Sequence, residues 1–209
     1  LSSVSYAINA APDGNKYAKP GPVAVDFFAL AADRMRVAED GVLDAESAIA
    51  YATRRTVTLP ATSGARPIVV SFSDFAGNSI ASPVSDTVYI DNDAPTGSVA
   101  ISQGAYTNTA NVLLALTYAD SLSGVDAVAI ANGATCTGAS FESVSSLRTF
   151  TIPSTQGSKT VAVCFRDRVG NVTTPYTATT IVDTIEPSTV SLELSSGATH
   201  IANTAAVPV

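Results

Sequence analysis

The sequence predicts an all-β protein built from tandem β-sandwich domains. Three observations favour this fold class: a set of short motifs recurs along the chain, apolar residues alternate with a period of two, and charged residues are scarce. Only 14% of the 209 residues are charged, against about 25% in average soluble domains. Low charge with abundant Thr, Ser, Val, Ala and Gly is typical of secreted β-proteins, whereas cytosolic helical proteins carry more Lys and Glu.

The recurring motifs define the domain organisation. The matched segments are 59–64 (LPATSG) with 152–157 (IPSTQG), 70–74 (VSFSD) with 163–167 (VCFRD), 77–78 with 170–171 (both GN), and 91–95 (DNDAP) with 183–187 (DTIEP). The first three pairs are offset by 93 residues and the last by 92. A period of about 90 residues is the size of one small sandwich domain. We therefore predict one domain over 1–93, a second over 94–185, and an incomplete third repeat over 186–209 that holds only its first strands.

The strand pattern of the second repeat predicts immunoglobulin-like sandwiches. Apolar and small residues alternate along 159–166 with the period of a strand. Similar runs predict seven strands, near 97–102, 111–118, 125–131, 134–141, 147–152, 159–166 and 176–183. Asn132-Gly133 is typical of a two-residue hairpin turn. About seven short strands separated by turns fit this fold. The first repeat has a longer middle, 29–52, where we predict an inserted loop or short helical turn.

A D-x-x-G-N motif follows a predicted strand in each repeat, and we interpret it as a structural turn. Its residues are Asp74, Gly77 and Asn78 in the first repeat and Asp167, Gly170 and Asn171 in the second. An Asp side chain can accept hydrogen bonds from the backbone of such a turn, and Gly allows a positive φ. Calcium binding by these aspartates is the alternative, but one Asp per turn supplies too few oxygens.

The segment 165–172 (FRDRVGNV), followed by 181–187 (IVDTIEP), resembles the end of bacterial Ig-like repeats in large cell-surface adhesins and extracellular multidomain proteins. The Ser-Gly-Val at 123–125, after Asp120, is similar to the same family. The resemblance implies an immunoglobulin-like fold and a location at the cell surface or outside the cell. The chain departs from the family in having no tryptophan.

The resemblance also implies a cofactor. In similar adhesins, aspartates at the domain junctions bind calcium and stiffen the rod. Carried over to this chain, the ligands are Asp91, Asp93 and Asp183, with Asp74, Asp120 or Asp167 as further contributors. The alternative is a solvated linker with aspartates at the strand ends. No other cofactor is expected.

The two cysteines, Cys136 and Cys164, both fall on predicted strands of the second repeat. In an extracellular setting we expect them to form a disulfide. Two thiols are too few for a structural zinc site. Ser71 occupies the position of Cys164 in the first repeat, so the expected disulfide belongs to one domain only.

Other functional classes find little support in the sequence. The net charge of −7 argues against nucleic acid as a partner, and no apolar run reaches the length needed for membrane insertion. We find no nucleophile, phosphate-loop or zinc-protease motif, and we interpret His200, the only histidine, as a surface-loop residue. We therefore expect no catalytic residues and no enzymatic activity.

We expect an extracellular structural module, the stalk or spacer of a surface adhesin. Its partners would be neighbouring Ig-like repeats of the same chain or identical subunits, and its ligand is not specified by the sequence. A first alternative is a subunit of an extracellular filament or pilus, assembled by strand addition through 186–209. A second alternative is a carbohydrate- or protein-binding module.

Overall fold

The computed structural model of the chain describes residues 4–6 and 16–188. All regular secondary structure in these residues is β-strand. They contain no helix of the length and apolarity that crossing a membrane requires. The incomplete third repeat was predicted over 186–209, and from residue 189 onward it lies outside the described residues.

Eight strands in the first half of the chain make up what we call domain 1. They are Val4–Tyr6 (β1), Tyr17–Ala18 (β2), Gly21–Phe27 (β3), Arg34–Ala38 (β4), Ile49–Ala50 (β5), Arg54–Leu59 (β6), Gly64–Ser73 (β7) and Val84–Ile90 (β8). They form a three-stranded sheet in the order β1-β3-β6 and a five-stranded sheet in the order β2-β8-β7-β4-β5.

Eight further strands make up domain 2. They are Thr96–Ile101 (β9), Tyr106–Thr107 (β10), Asn111–Ala119 (β11), Val125–Asn132 (β12), Glu142–Ser143 (β13), Leu147–Thr151 (β14), Gly157–Asp167 (β15) and Tyr176–Val182 (β16). The sheet orders are β9-β11-β14 and β10-β16-β15-β12-β13. Strand for strand, this topology is that of domain 1, including the short parallel pair at one edge, β2 with β8 and β10 with β16.

Each domain has its own core, and both of its sheets contribute to that core. In domain 1, Val25 and Val57 of the smaller sheet pack in one cluster with Met35, Val70 and Val88 of the larger sheet. Burial of such a side chain stabilises a fold by about 1.5–3 kcal/mol. A second cluster joins the two sheets of domain 2 in the same way. The predicted all-β, immunoglobulin-like sandwich fold is therefore confirmed.

The interpretation of 29–52 as an inserted loop or helical turn is wrong, because 34–38 forms β4, which lies between β7 and β5 in the larger sheet. Met35 and Ala38 are buried, and Val37 pairs with Val70 of β7. Arg34 and Arg36 obscured the strand because they place charges on both sides of the buried Met35. The Arg36 guanidinium lies against the loop that follows, and its Nε donates to the Glu46 carbonyl at 2.9 Å.

The strand predicted at 134–141 is also wrong, and so is the two-residue hairpin at Asn132-Gly133. Asn132 is the last residue of β12 to pair with β15, and after Gly133 (φ 111°) the chain leaves the sheet. It returns only as the two-residue strand β13. The sequence pattern also missed the short strand β10, so the described residues of each domain contain eight strands rather than about seven.

Residues 133–141 form a loop tied to the outer face of the larger sheet. Ala129, Ala162 and Cys164 are buried although they lie outside the core cluster, and such small side chains let a loop approach the sheet closely. Cys136 of the loop is disulfide-bonded to Cys164 of β15, so the predicted disulfide is present, although Cys136 is not on a strand.

Candidate metal centre at the domain junction

The D-x-x-G-N segments form the same turn in both domains. In domain 2, the Asn171 backbone N–H donates to Asp167 Oδ1 at 2.7 Å, and the Gly170 N–H donates to the Asp167 carbonyl at 3.2 Å. In domain 1, the Asn78 N–H donates to Asp74 Oδ1 at 2.8 Å. The central glycines have φ of 88° and 90°, a region that favours glycine.

Asp91 stands at the end of domain 1, one residue after β8. Its N–H donates to the Ala18 carbonyl at 2.9 Å, which continues the parallel pairing of β2 with β8. Its side chain is fully buried. Asp91 Oδ1 accepts from the Asp93 N–H at 3.2 Å, and Oδ2 accepts from the Ser123 N–H at 3.0 Å. Because Ser123 belongs to the loop between β11 and β12, this carboxylate joins the two domains.

The turn at the end of β15 also holds the junction. The Asn171 side-chain amide donates to the carbonyls of Asp91 and Asp93, at 3.1 and 3.0 Å. Lys19 Nζ of domain 1 donates to the Gly170 carbonyl of domain 2 at 2.8 Å. Asn171 therefore has a second role besides closing its own turn: it binds the backbone of the linker.

Three carboxylates converge at this junction. One oxygen from each of Asp91, Asp120 and Asp167 lies within 4.8 Å of the other two. Asp120 directly follows β11 and begins the loop to β12. Its Oδ1 accepts from the N–H groups of Leu122 and Gly124, at 3.0 and 2.7 Å. Each carboxylate is thus fixed by backbone donors, and the three come from three separate segments of the chain.

The cluster concentrates negative charge in a poorly solvated place. Asp91 and Asp167 are buried and Asp120 is half-buried. Burial raises the pKa of the Asp167 carboxyl above its ordinary value, and the charge of Asp91 raises this pKa further, against hydrogen bonds from Asn171 that lower it. The ion pairs found within the described residues involve none of the three.

The donor set fits a hard cation. Ca²⁺ takes six to eight oxygen ligands, carboxylates first among them, and all three converging side chains are carboxylates. Beside them, the Oγ of Ser123 is fully buried and has no hydrogen-bond partner in the described part of the chain. An orphaned buried hydroxyl costs free energy, and this one belongs to the residue whose backbone N–H donates to Asp91 Oδ2.

The structure brings together only part of the predicted ligand set. Asp91 is in the cluster, joined by Asp120 and Asp167. Asp93 turns its carboxylate away to accept from Ser63 Oγ at 2.6 Å. Asp183 lies at the far end of domain 2, where it is the counterpart of Asp91.

Asp74 lies at the opposite end of domain 1, at the position that Asp167 has in domain 2. The acidic residue of the equivalent loop in domain 1 is Asp33, whose Oδ2 accepts from the Phe75 N–H at 3.1 Å. The signal that could have selected Asp120 and Asp167 together is their place in two loops at the same end of one sandwich.

No family model matches the chain, and no curated protein matches it. Among solved structures, the fibronectin(III)-like modules of Clostridium thermocellum CbhA are 14% identical with a TM-score of 0.43, over 86% of this chain and 93% of that one. A tetra-tandem repeat from the extending region of a large adhesion protein is 18% identical with a TM-score of 0.37, over 79% of this chain and 46% of that one.

The D00-D0 domain of Intimin is 12% identical with a TM-score of 0.31, over 84% of this chain and 98% of that one. The chain spans less than half the length of the adhesion-protein structure. The fold assignment rests on the strand order and the two cores described above, and not on these likenesses.

Proposed function

We propose that this chain is an extracellular spacer module of a surface protein, in which the junction holds successive sandwich domains in a fixed orientation. The observation that carries the proposal is the fully buried Asp91 carboxylate, which accepts a hydrogen bond from the loop of the next domain. A flexible tether between independent domains would leave such a group in solvent.

The linker itself supports a stiff connection. Only residues 91–95 separate β8 from β9. Asp91 and Pro95 at its two ends are buried, and proline fixes its own φ and restricts the residue before it. The backbone carbonyls of Asp91 and Asp93 are held by Asn171. Few bonds in this linker remain free to rotate.

A calcium ion at the acidic cluster would complete the junction. Asp91 comes from domain 1, whereas Asp120 and Asp167 come from two loops of domain 2. A cation bound by all three would link the domains and offset the repulsion among the carboxylates. The residues of this chain supply the oxygens, and their hydrogen bonds to backbone N–H groups keep them oriented.

The extracellular location is supported by the disulfide between Cys136 and Cys164. Disulfides persist in oxidising compartments and are rare in the cytosol. A low content of charged residues, 14% in this chain, is also typical of secreted β-proteins. A spacer has no need of catalytic groups, and we propose that the chain is not an enzyme.

Small-angle X-ray scattering tests the fixed junction. The matched control is a variant with a flexible Gly-Ser segment inserted between Asp93 and Ala94, which keeps both domains and breaks their connection. We expect one fixed arrangement to fit the scattering of the original chain in calcium, whereas the control requires an ensemble of orientations. Indistinguishable profiles for the two proteins would contradict the proposal.

A further inference from the structure

The larger sheets of the two domains carry equivalent loops, each leading to the short strand at one edge. In domain 1 this loop is 39–48, between β4 and β5, and in domain 2 it is 133–141, between β12 and β13. In both domains the strand before the loop pairs with the middle strand of the sheet, β7 or β15. We call the two segments loop 1 and loop 2.

Loop 1 is held to the sheet by the side chain of Arg36. The guanidinium donates to two carbonyls of the loop, from Nε to Glu46 at 2.9 Å and from Nη2 to Asp44 at 3.4 Å. The other hydrogen bonds of loop 1 within the described residues stay inside the loop. One cation therefore makes all the hydrogen bonds between this loop and the sheet.

Loop 2 is held to the sheet by the disulfide between Cys136 of the loop and Cys164 of β15. In the described part of the chain, no hydrogen bond joins residues 134–140 to the sheet. Their one hydrogen bond, from the Ala139 N–H to the Cys136 carbonyl at 3.1 Å, is internal to the loop. The middle of loop 2 therefore depends on a single covalent bond.

The two ends of loop 2 are anchored independently of the disulfide. At its start, the Gly133 N–H donates to the Thr160 carbonyl at 2.8 Å. At its end, the guanidinium of Arg166 lies 4.6 Å from the centre of the Phe141 ring. Opening the disulfide would therefore free the residues between these two anchors rather than the whole segment.

Both loops are held from the same point of the repeat. Arg36 of β4 lies opposite Ser71 of β7 in the ladder. Ala129 of β12 lies opposite Cys164 of β15 in the same way. Ser71 and Cys164 are equivalent in the repeat, and their neighbours on either side belong to the core clusters, so both face outward. One cross-strand position thus holds the loop in each domain, by hydrogen bonds in domain 1 and by a disulfide in domain 2.

Only the second kind of connection responds to a reductant. A guanidinium stays protonated and has no redox chemistry, whereas a disulfide opens by exchange with a thiolate. Cys136 is half-buried and Cys164 is buried, so the Cys136 sulfur is the accessible one. Attack there by one thiolate of a dithiol breaks the S–S bond and releases Cys164. The second thiol of the reductant then displaces Cys136. The dithiol supplies two electrons and two protons and becomes a disulfide.

We propose that loop 2 is a redox-sensitive element: reduction by a dithiol frees residues 134–140 from the outer face of domain 2, while the sandwich stays folded and loop 1 stays in place. The sandwich persists because no residue of its core cluster lies in loop 2. In an oxidising compartment both loops are held, and in a reducing one only loop 1 is. This proposal does not rest on the proposed spacer function.

Nitrogen-15 relaxation of the full chain, before and after reduction with dithiothreitol, tests the proposal. Intact mass after alkylation shows when both thiols are free. We expect the order parameters of 134–140 to fall from about 0.85 to below about 0.6 on reduction, and those of β12, β15 and loop 1 to stay unchanged.

Two variants serve as matched controls, one for each loop. The double variant Cys136→Ser, Cys164→Ser should have a mobile loop 2 with and without dithiothreitol. Arg36→Met keeps a long side chain and removes the donors. It should free loop 1 under both conditions and leave the response of loop 2 to dithiothreitol as in the full chain.

Three outcomes would overturn the proposal. Residues 134–140 could stay ordered after both thiols are free, the folded signals of β12 and β15 could vanish on reduction, or loop 1 could stay ordered in Arg36→Met. The last outcome would show that the cross-strand position does not hold both loops. Failure of the spacer function appears instead as independent domain orientations in solution scattering, which leaves the loop order parameters unchanged, so the two failures are distinguishable.

Discussion

The junction cluster makes a quantitative prediction for the variant Asp120→Asn. The substitution keeps Oδ1, which accepts from the N–H groups of Leu122 and Gly124, and replaces one carboxylate oxygen by an amide. Asp183→Asn is the matched control, because Asp183 has the equivalent position at the end of domain 2, and its Oδ1 accepts one backbone N–H in the same way.

The size of the effect follows from linkage between binding and folding. Calcium sites in extracellular modules have dissociation constants of about 10⁻⁴–10⁻³ M. At about 10 mM free calcium, binding to the folded state alone stabilises it by roughly 1.4–2.7 kcal/mol. For a domain of this size, about 1 kcal/mol moves the melting temperature by about 5 °C. The full chain should therefore melt about 7–14 °C higher in calcium than in chelator.

Differential scanning calorimetry in calcium and in excess chelator measures this shift. Asp120→Asn should lose most of the calcium response, and Asp183→Asn should keep it. In chelator, Asp120→Asn should melt higher than the full chain, because it removes one of three like charges near Asp91 and Asp167. Equal melting temperatures of the full chain in calcium and chelator, or loss of the response in Asp183→Asn, would refute the cation at this site.

Three further predictions concern stability. Gly97→Ala should destabilise domain 2 by about 1–3 kcal/mol in urea unfolding, because an added Cβ would lie 2.4 Å from the Phe165 ring; an unchanged midpoint would contradict this packing. Replacing both Cys136 and Cys164 by serine should cost domain 2 about 3–4 kcal/mol, the loop-entropy value for a separation of 28 residues, and should leave the transition of domain 1 in place. Hydrogen bonds from Asn78 hold the pKa of Asp74 below its ordinary value, so its stabilising contribution is present above about pH 4 and is lost as the pH falls through the lowered pKa. Asp74→Asn should therefore be less stable than the full chain at pH 6 and equal to it near pH 2, and a difference that persists in acid would show another cause.

The fold class could be predicted from the sequence because its signals are local. Val161, Val163 and Phe165 alternate with outward residues along β15, and all three belong to the core of domain 2. The disulfide could be predicted because the chain has only two cysteines.

The errors arose where local patterns had two interpretations. Because β4 contains Arg34 and Arg36, its sequence resembles that of a polar insertion. Asn132-Gly133 has the composition of a tight turn, yet Gly133 begins a loop that is disulfide-bonded through Cys136 to Cys164 of β15. Which surface a loop covers depends on packing across the sheet, and a single sequence does not display that packing.

The acidic cluster was only partly predictable for a related reason. Asp91, Asp120 and Asp167 are far apart in the chain, and two of them meet the third only because the end of domain 1 sits on two loops of domain 2. Asp93 belongs to the same motif as Asp91, and Asp183 begins the second copy of that motif. Neither joins the cluster, because the Asp93 carboxylate accepts from Ser63 Oγ and Asp183 lies at the far end of domain 2.

Residual dipolar couplings of the backbone amides test the fixed junction most directly. Couplings measured in one alignment medium with calcium yield a separate alignment tensor for domain 1 and for domain 2. If Asp91 and Asn171 hold the domains together as described, the two tensors have the same magnitude, and their axes coincide when the domains are placed as in the structure. Tensors of clearly different magnitude would mean that the domains reorient independently, and would contradict the account.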